Sequence, residues 1–368
     1  MKIGFEAKRV FHNKTGLGNY SRDLVRMIAT KFPETSLFLY NPKKAKEPIF
    51  TYKNENIFER NPKTKFKNYW RQKGVVRDLL HDKIEIFHGL SGEIPSGLKK
   101  NKIKSIVTIH DLIFMRYPNL YSFFDREIHF YKFKKAAQNA DIVIAISEQT
   151  KEDIIQYLKI DAQKIQVVYQ GCQPIFKTKI SENELKTVKN KYLLPNQFVL
   201  NVGTIEPRKN ALTIVKAIQN IETTLILIGK ETEYAKEIHQ YITSHNLQHK
   251  VRFLKGINSF ELAAIYQLAT IFIYPSLFEG FGIPIIEALY SKTPVITSNS
   301  GVFPEAAGPD SVYINPTDAS ELATKIQFLL ENPEKRSEMI EKGWHFAQQF
   351  NDDVIANQLM NIYTSLLS

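Results

Sequence analysis

The most chemically suggestive spacing in the chain belongs to two glutamates, Glu279 and Glu287, which stand eight positions apart. The segment Gly280, Phe281 and Gly282 follows the first of them, and its glycines permit a close approach of the backbone to a ligand. The amides of this segment can face phosphate or sugar oxygens, while carboxylates accept hydrogen bonds from hydroxyls. A phosphate site flanked by acids predicts a ligand that has both groups, such as a nucleotide sugar.

A strand and a helix are predicted on either side of this segment. Residues 271–274 are apolar or aromatic, which is typical of a strand buried on both faces. A helix is predicted to begin near Ile283, and Pro284 suits its first turn because no backbone N–H is needed there. The free amides of that helix N-terminus favour an anionic ligand.

A second group of charges follows an earlier predicted strand, 198–202. Gly203 allows a tight turn, and Arg208 with Lys209 stands at the start of the next predicted helix. Cations at this end oppose the helix dipole, and a diphosphate ligand would explain them. Arginine offers a bidentate fork and lysine a point charge to the leaving group of a nucleotide-sugar reaction. The alternative interpretation is two surface cations.

Different roles are predicted for the two acids. Glu287 is expected to accept hydrogen bonds from vicinal ribose hydroxyls, as acids do in dinucleotide-binding folds, and Glu279 from sugar hydroxyls. The alternatives are that Glu287 pairs with the helix dipole and that Glu279 is a solvated loop acid.

The first half of the chain contains weaker candidates. Gly16 and Gly18 follow its first predicted strand and can bring amides against a diphosphate, although an ordinary turn is the more common explanation of such a pair. His110 and Asp111 follow the predicted strand 105–109. A histidine there can bond a sugar hydroxyl or move a proton, and a structural histidine is the alternative.

His88 ends a neighbouring predicted strand. Together with Asp111, it is a candidate for lining an acceptor pocket, at a lower rank than His110.

Length and composition indicate a protein of two globular domains. The chain has 368 residues, of which 43% are hydrophobic and 24% charged. Its single cysteine, Cys172, excludes an intramolecular disulfide. No apolar run approaches the ~20 residues that span a bilayer, and the N-terminus lacks the apolar core of a signal peptide. We therefore expect a cytoplasmic protein.

Charge is distributed unevenly along the chain. Residues 1–170 carry a net charge of +13 and the remainder −2. This asymmetry predicts an anionic partner for the first half: nucleic acid, anionic lipid or a phosphorylated acceptor. Tyr69 and Trp70, among arginines and lysines, suit contact with an anionic membrane. A solvated lysine-rich surface is the alternative.

Short apolar strands alternate with helices throughout, which predicts two doubly wound α/β domains. The predicted domains are an acceptor-binding domain, 1–172, joined by a C-terminal helix at about 351–368, and a donor-binding domain, 173–350. The lysine-rich residues 41–68 are predicted to be irregular. Ligands of such sheets bind beyond the carboxyl ends of the strands, so we expect the two domains to face each other across a ligand-binding cleft.

Several other chemistries lack their signatures. The sequence has no Asp-x-Asp motif and no cysteine/histidine cluster, so neither a metal nor another cofactor is expected. It also has no Gly-x-Ser-x-Gly and no Gly-x-x-x-x-Gly-Lys-Ser/Thr motif, which disfavours an α/β-hydrolase or a P-loop protein.

These motifs together resemble the retaining glycosyltransferases of family 4, which have the GT-B fold. The resemblance covers nearly the whole chain and is densest over 198–330. Three segments carry it: Gly203-Thr-Ile-Glu-Pro-Arg-Lys-Asn210, Glu279-Gly-Phe-Gly-Ile-Pro-Ile-Ile-Glu287 and Pro294-Val-Ile-Thr-Ser-Asn299.

The resemblance also implies residue roles. Glu279 would contact the donor sugar and Glu287 the ribose. Arg208 and Lys209 would hold the diphosphate, and His110 would contact the sugar. The Gly-rich loop of the family corresponds to Gly16-Leu17-Gly18.

The implied reaction is transfer of a sugar with retention of configuration and without a metal, in which the leaving diphosphate accepts the proton of the acceptor. The sequence of residues 203–210 resembles the corresponding segment of bacterial mannosyltransferases of surface-polysaccharide synthesis. GDP-mannose is therefore the first expectation for the donor and a UDP-sugar the second, with a glycan or lipid-linked saccharide as acceptor. A nucleotide-sugar epimerase or hydrolase on the same fold is the nearest alternative. A nucleic-acid-binding protein is disfavoured, because no nucleic-acid motif accompanies the charge.

Overall fold

The computed structural model describes residues 1–44 and 49–368, and these fall into two compact units. The first unit comprises Met1–Gly171 with Phe350–Ser368, and the second comprises Cys172–Gln349. Four residues of the lysine-rich segment that we predict to be irregular, 45–48, lie outside the described residues.

The first unit is built on a seven-stranded parallel sheet with the strand order β3-β2-β1-β4-β5-β6-β7. Its strands are β1 (Lys2–Glu6), β2 (Ser36–Tyr40), β3 (Ile57–Arg60), β4 (Ile86–Gly89), β5 (Lys104–Ile109), β6 (Ile142–Ala145) and β7 (Ile165–Val167).

Helices cover this sheet on both faces. The α-helices are Lys8–His12, Gly16–Lys31, Lys67–Tyr69, Val75–Asp82, Ile113–Arg116, Phe123–Asn139, Glu148–Asp153 and Asp352–Ser365. Two π-helical segments, Trp70–Gly74 and Ile154–Leu158, and short 3₁₀ turns connect them.

The C-terminal helix Asp352–Ser365 packs against helix Gly16–Lys31 in one apolar cluster. Two ion pairs fix this contact: Arg26 Nη2 lies 2.7 Å from Asp352 Oδ2, and Lys31 Nζ lies 2.5 Å from Asp353 Oδ1. The last helix is therefore part of the first unit, although it follows the whole second unit in the chain.

The second unit has a six-stranded parallel sheet with the order β10-β9-β8-β11-β12-β13. Its strands are β8 (Phe198–Val202), β9 (Thr224–Ile228), β10 (Val251–Leu254), β11 (Ile271–Tyr274), β12 (Val295–Ser298) and β13 (Val312–Ile314). Its α-helices are Glu182–Lys191, Ala211–Ala217, Ala235–Ser244, Ser259–Leu268, Ile283–Tyr290, Phe303–Ala307, Ala319–Glu331 and Pro333–Ala347.

The prediction of two doubly wound parallel α/β sheets is confirmed. Every residue of β8 and β11 is buried, which explains why these strands are continuously apolar rather than alternating. In each sheet the strand order reverses at one place, between β1 and β4 in the first unit and between β8 and β11 in the second. Open parallel sheets bind their ligands at this switch point, beyond the carboxyl ends of the strands.

Two local predictions are wrong. Residues 57–60 form the edge strand β3 within a segment that we predict to be irregular. Gly16 and Gly18, which we expect in a turn or a glycine-rich loop, follow a short helix, Lys8–His12, and the next helix begins at Gly16. Gly16 and Gly18 therefore lie in the first turn of a helix rather than in a loop.

Candidate active site

The switch point of the second sheet brings together the residues that follow β8 and β11. The turn Pro207–Lys209 lies beyond the carboxyl end of β8, and Glu279 lies on the loop after β11. A backbone hydrogen bond of 2.9 Å from the Leu277 amide to the Arg208 carbonyl ties the two segments together. Residues 70 positions apart in sequence thus form one cluster.

Glu279 is the centre of an ion-pair network. Its Oε2 lies 2.8 Å from Arg208 Nη1, and its Oε1 lies 2.5 Å from Lys209 Nζ. Arg208 Nη1 also donates to the backbone carbonyl of Phe278 at 2.6 Å, which fixes the guanidinium against the loop. The side chain of Glu279 is only 12% exposed, so this carboxylate and its two cations are held in a largely desolvated place.

Tyr274, the last residue of β11, is hydrogen-bonded to two members of this network. Its hydroxyl accepts a hydrogen bond from Lys209 Nζ at 2.6 Å and donates one to Glu279 Oε1 at 3.1 Å. The ammonium of Lys209 also lies 4.9 Å from the centre of the Tyr274 ring. The tyrosine is fully buried, so it positions both charged groups rigidly.

The electrostatics favour an ionised carboxylate at Glu279. Burial by itself raises the pKa of this group, but Lys209 and Arg208 outweigh burial and hold the pKa below its ordinary value. Burial lowers the pKa of Lys209 despite the nearby Glu279. A second acid, Glu206, lies 2.6 Å from Arg208 Nη2, so both cations are neutralised by acids of the same unit.

The glycine-containing loop leads directly into helix Ile283–Tyr290. Gly282 precedes the helix with a φ of +119°, a backbone conformation that side-chain-bearing residues rarely adopt. Phe281 is buried, whereas Gly280 is partly exposed. Gly203 has a positive φ as well and lies beside the Lys209 side chain.

Glu287 occupies the second turn of this helix, apart from the Glu279 network. Its Oε2 accepts a hydrogen bond from the Tyr266 hydroxyl at 3.1 Å. The first turn of the helix contains no acid, so pairing with the helix dipole does not explain Glu287.

The remaining predicted site residues belong to the first unit, where His110 follows β5. His110 Nε2 lies 2.9 Å from the carbonyl oxygen of Leu90, and Nδ1 lies 2.9 Å from Gln170 Nε2. These partners assign the proton to Nε2, which donates to the carbonyl, while Nδ1 accepts from the amide. Burial lowers the pKa of His110 to about 4, so the imidazole is neutral near pH 7.

His88, at the end of β4, is fully buried. Its Nδ1 lies 2.8 Å from the Tyr363 hydroxyl, and its Nε2 lies 2.8 Å from Thr108 Oγ1. The structure therefore does not bring His88 to a surface that an acceptor can contact; instead, the residue links β4 and β5 to the C-terminal helix.

The other three candidates differ in their structural roles. Asp111 Oδ1 accepts a hydrogen bond from the Ile113 amide at the start of helix Ile113–Arg116. A Cβ at Gly18 would lie 1.9 Å from the Asn13 carbonyl oxygen, so close packing requires glycine there. A Cβ at Gly16 would meet no atom within 4 Å, so packing does not explain that glycine.

The structure thus joins Arg208, Lys209 and Glu279 by direct contacts, and it adds Tyr274 and Glu206, to which we assign no role from the sequence. The position of Tyr274 at the carboxyl end of a predicted strand is the signal that indicates it. Among residues 1–44 and 49–368, no group of three or more histidine, cysteine, aspartate or glutamate side chains is arranged to hold a metal ion.

Two family models match the chain. The model described as glycosyltransferase family 4 matches residues 15–174, and the model described as glycosyl transferases group 1 matches residues 184–346.

Relatives and solved structures agree with these models. The chain is 25% identical over 391 residues to O-antigen chain mannosyltransferase B of Escherichia coli, and the match covers 100% of both chains. It is 30% identical to O-antigen chain mannosyltransferase RfbU of Salmonella typhimurium over 62% of this chain and 61% of the relative. The fold is similar to that of Anabaena HepE, solved in complex with UDP-glucose, with a TM-score of 0.74, 19% identity and coverage of 99% and 100%.

Proposed function

We propose that this chain, which belongs to glycosyltransferase family 4 and has the GT-B fold, transfers mannose from GDP-mannose to a glycan or lipid-linked saccharide, with retention of configuration. That the protein is a glycosyltransferase follows from its family. The choice of mannose is supported by the names of the relatives, including one whose match covers both chains completely. The observation that carries the proposed mechanism is the Arg208–Lys209–Glu279 network.

In the proposed reaction, the bond from the anomeric carbon to the diphosphate oxygen breaks on the same face on which the acceptor hydroxyl attacks. The hydroxyl proton passes to the departing diphosphate oxygen. Arg208 and Lys209 stabilise the charge that develops on this leaving group. Their side chains are only 22% and 14% exposed, so the interaction would be weakly screened by water.

The role that we propose for Glu279 is to accept hydrogen bonds from the donor sugar. Its low pKa keeps it ionised, which makes it an acceptor only and suits it to hydroxyl donors. Entry of the diphosphate would compete with Glu279 for the two cations, so the carboxylate would turn toward the sugar when the leaving group is bound. Glu287 would accept hydrogen bonds from the ribose hydroxyls, while the Tyr266 hydroxyl donates to its Oε2.

We propose that His110 helps to orient the donor sugar and does not transfer a proton. Both of its ring nitrogens already have partners within the first unit, and its pKa of about 4 leaves it neutral. Transfer is expected to proceed without a metal, because the leaving diphosphate would be neutralised by Arg208 and Lys209.

The test of the donor is a thermal-shift screen of nucleoside diphosphates followed by a transfer assay. A ligand that binds the folded state raises the melting temperature. We expect GDP to raise it more than UDP and GDP-mannose to yield a mannosylated product. A larger shift with UDP would overturn the choice of guanine as the base of the donor. Consumption of the donor without any transfer product, as fast as a transferase would consume it, would favour the epimerase or hydrolase alternative.

We also propose that the first unit contacts an anionic membrane surface. From the sequence we expect Trp70 to contact the membrane. The residue is only 4% exposed, however, and its ring N–H donates to Asp78, so it cannot make this contact. Helix Phe123–Asn139 offers a better surface. Four of its large side chains are more than half exposed: Phe123, Phe124, Ile128 and Tyr131.

Charge complementarity is the reason for choosing a lipid surface. The same helix carries Arg126, Lys132, Lys134 and Lys135, and Lys135 Nζ lies 5.6 Å from the centre of the Tyr131 ring. Exposed aromatic residues among basic residues are typical of a surface that lies at the interface of an anionic bilayer. Within the described part of the chain, no helix is both long and apolar enough to cross a membrane.

Vesicle co-sedimentation tests this surface. The double variant Phe123→Ser/Phe124→Ser should bind vesicles of anionic lipid at least about tenfold more weakly than the wild type, because each ring buries apolar area in the interface. The control Leu193→Ser removes a side chain of similar exposure, 78%, in the second unit and should change nothing. Equal binding by the double variant would overturn the proposal, as would a dimer of the wild type that this variant abolishes.

A further inference from the structure

The switch point of the first sheet holds a second charged cluster, to which the proposed reaction assigns no role. The strands β1 and β4 are neighbours there, and their register pairs Phe5 with His88. Glu6 ends β1, and Ser91 and Glu93 lie just beyond the end of β4. By the topology of open parallel sheets, this is where the first unit would bind a ligand.

One arginine, Arg71, forms ion pairs with both acids of this cluster. Arg71 Nε lies 2.8 Å from Glu6 Oε1, and Arg71 Nη2 lies 2.7 Å from Glu93 Oε2. Lys132 adds a second cation 3.6 Å from the other oxygen of Glu93. The charges of Glu6 and Glu93 are therefore already matched before any further cation is counted.

Arg9 is that further cation. Its Nε donates to Ser91 Oγ at 2.7 Å, which fixes the plane of the guanidinium. Over residues 1–44 and 49–368, no acid lies within 4.0 Å of its guanidinium, and neither Nη1 nor Nη2 has a hydrogen-bond partner. The structure thus holds an oriented guanidinium whose fork of N–H donors is unused.

The environment of Arg9 favours an additional negative charge nearby. Burial lowers the pKa of Arg9, and Arg71 lowers it further, although Glu6 and Glu93 partly compensate. A desolvated charge normally has a partner of opposite sign. Here the nearest acids, Glu6 and Glu93, are engaged by Arg71 and Lys132, so within residues 1–44 and 49–368 no acid is left to pair with Arg9.

The loop that carries Ser91 is shaped by close backbone packing. A Cβ at Gly89 would lie 2.0 Å from the backbone oxygen of Glu93, so the chain can turn back on itself only with glycine there. This turn places Ser91 against Arg9 and Glu93 against Arg71. The orientation of Arg9 is therefore built into the fold.

We propose that Arg9 binds a phosphate or diphosphate group carried by one of the two substrates of the transfer reaction. A guanidinium fork matches two phosphate oxygens, and Arg9, Arg71 and Lys132 outnumber the two acids of the cluster. This inference rests on the proposed function only in naming the source of the phosphate. That source is the acceptor, if its saccharide is attached through a phosphate, or the donor.

Calorimetric titration of the full chain distinguishes these sources, with inorganic pyrophosphate as the probe in the presence and absence of saturating GDP. If the acceptor is the source, the GDP-saturated wild type binds pyrophosphate, Arg9→Gln weakens this binding at least about tenfold, and the Kd for GDP is unchanged. If the donor is the source, Arg9→Gln weakens GDP binding by a similar factor, and the GDP-saturated protein does not bind the probe. Unchanged affinities for both ligands in Arg9→Gln would overturn the proposal.

Two further variants control for charge and folding. Lys8→Gln removes the neighbouring, exposed cation and should behave like the wild type. Arg9→Lys keeps the charge but loses the fork, so its affinity should lie between those of the wild type and Arg9→Gln. Because pyrophosphate binding is measured without turnover, a chain that transfers no mannose still reports on Arg9, and the two proposals can fail separately.

Discussion

Replacement of Glu279 by glutamine should separate the binding of the leaving group from the transfer of the sugar. Glutamine has nearly the same shape and retains one acceptor oxygen, but it lacks the negative charge. The carboxylate now lies 2.8 Å from Arg208 Nη1 and 2.5 Å from Lys209 Nζ. The variant leaves both cations in place and removes the group that competes with a diphosphate for them.

The expected effect on stability follows from these contacts. Hydrogen bonds to charged groups contribute about 1.5–3 kcal/mol each, and one acceptor is retained, so the free energy of unfolding of the second unit should fall by about 1–3 kcal/mol. For a domain of this size, each kcal/mol lowers the melting temperature by about 2–4 °C. The variant should therefore fold, since Tyr274 still accepts a hydrogen bond from Lys209 at 2.6 Å.

The substitution should lower the rate of transfer without lowering the affinity for GDP. Transfer should fall by at least about 100-fold, as for other losses of a preorganised polar group in an active site. The affinity for GDP should be unchanged or higher, because Arg208 and Lys209 no longer share their charge with Glu279. By contrast, Lys209→Ala should weaken GDP binding by about tenfold or more, because it removes a cation that we propose binds the diphosphate directly.

The assays are a transfer assay with GDP-mannose and calorimetric titration with GDP. Glu338→Gln is the matched control: Glu338 also bridges two cations, with Lys335 and Lys342 both at 2.8 Å, but on a solvent-exposed helix. Transfer by Glu279→Gln at the rate of this control would contradict the role proposed for Glu279. A loss of affinity for GDP as large as that of Lys209→Ala would contradict the competition between Glu279 and the diphosphate.

Three further predictions follow from the packing and charge of single groups. Gly18→Ala should lower the melting temperature, because its Cβ would lie 1.9 Å from a backbone oxygen, whereas Gly16→Ala should leave the melting temperature unchanged and weaken GDP-mannose binding if that glycine lies against the donor. His88 and His110 have folded pKa values of about 3 and about 4 against about 6.5 in the unfolded chain, so the unfolded state binds more protons as the pH falls from about 6.5 to about 4. The free energy of unfolding of the first unit should therefore decrease over that window. Urea denaturation monitored by Trp70 fluorescence in a Trp344→Phe variant, which removes the tryptophan of the second unit, would test this, and a flat profile would contradict it. Transfer should also survive an excess of EDTA, and strict dependence on added metal would contradict the proposed mechanism.

Two central strands of the second unit, β8 and β11, could be predicted from the sequence with little error, whereas the edge strand of the first sheet could not. The predicted and observed bounds of β8 and β11 agree, because each is a short apolar run bounded by polar residues and buried at every position. The edge strand β3 has only one fully buried residue, Ile57, so it lacks that signal. Trp70 lies in a basic segment, yet it is buried because its helix turns the ring inward against Tyr40 and Asp78.

The site shows the same division between local and long-range information. The sequence places Arg208 and Lys209 at the end of one strand and Glu279 at the end of another, and parallel pairing predicts that such ends share one edge of a sheet. It does not reveal that the cations and the acid pair with each other at 2.5–2.8 Å. That pairing joins residues 70 positions apart and depends on how the side chains pack over Tyr274.

The two switch points illustrate what charge balance adds to topology. Both follow the same strand order, and both place arginine and glutamate beyond the ends of the central strands. In the second unit each cation has an acid of its own: Arg208 pairs with Glu206 and Glu279, and Lys209 pairs with Glu279. A ligand must displace these acids, so binding there is coupled to the movement of Glu279. In the first unit Arg71 occupies both acids, and among the described residues Arg9 bonds only the hydroxyl of Ser91, so an anion could bind Arg9 without displacing an acid. Anion affinity at Arg9 should therefore depend on the charge of Arg9 itself, whereas at Arg208 and Lys209 it should be unchanged or higher when Glu279 is neutralised.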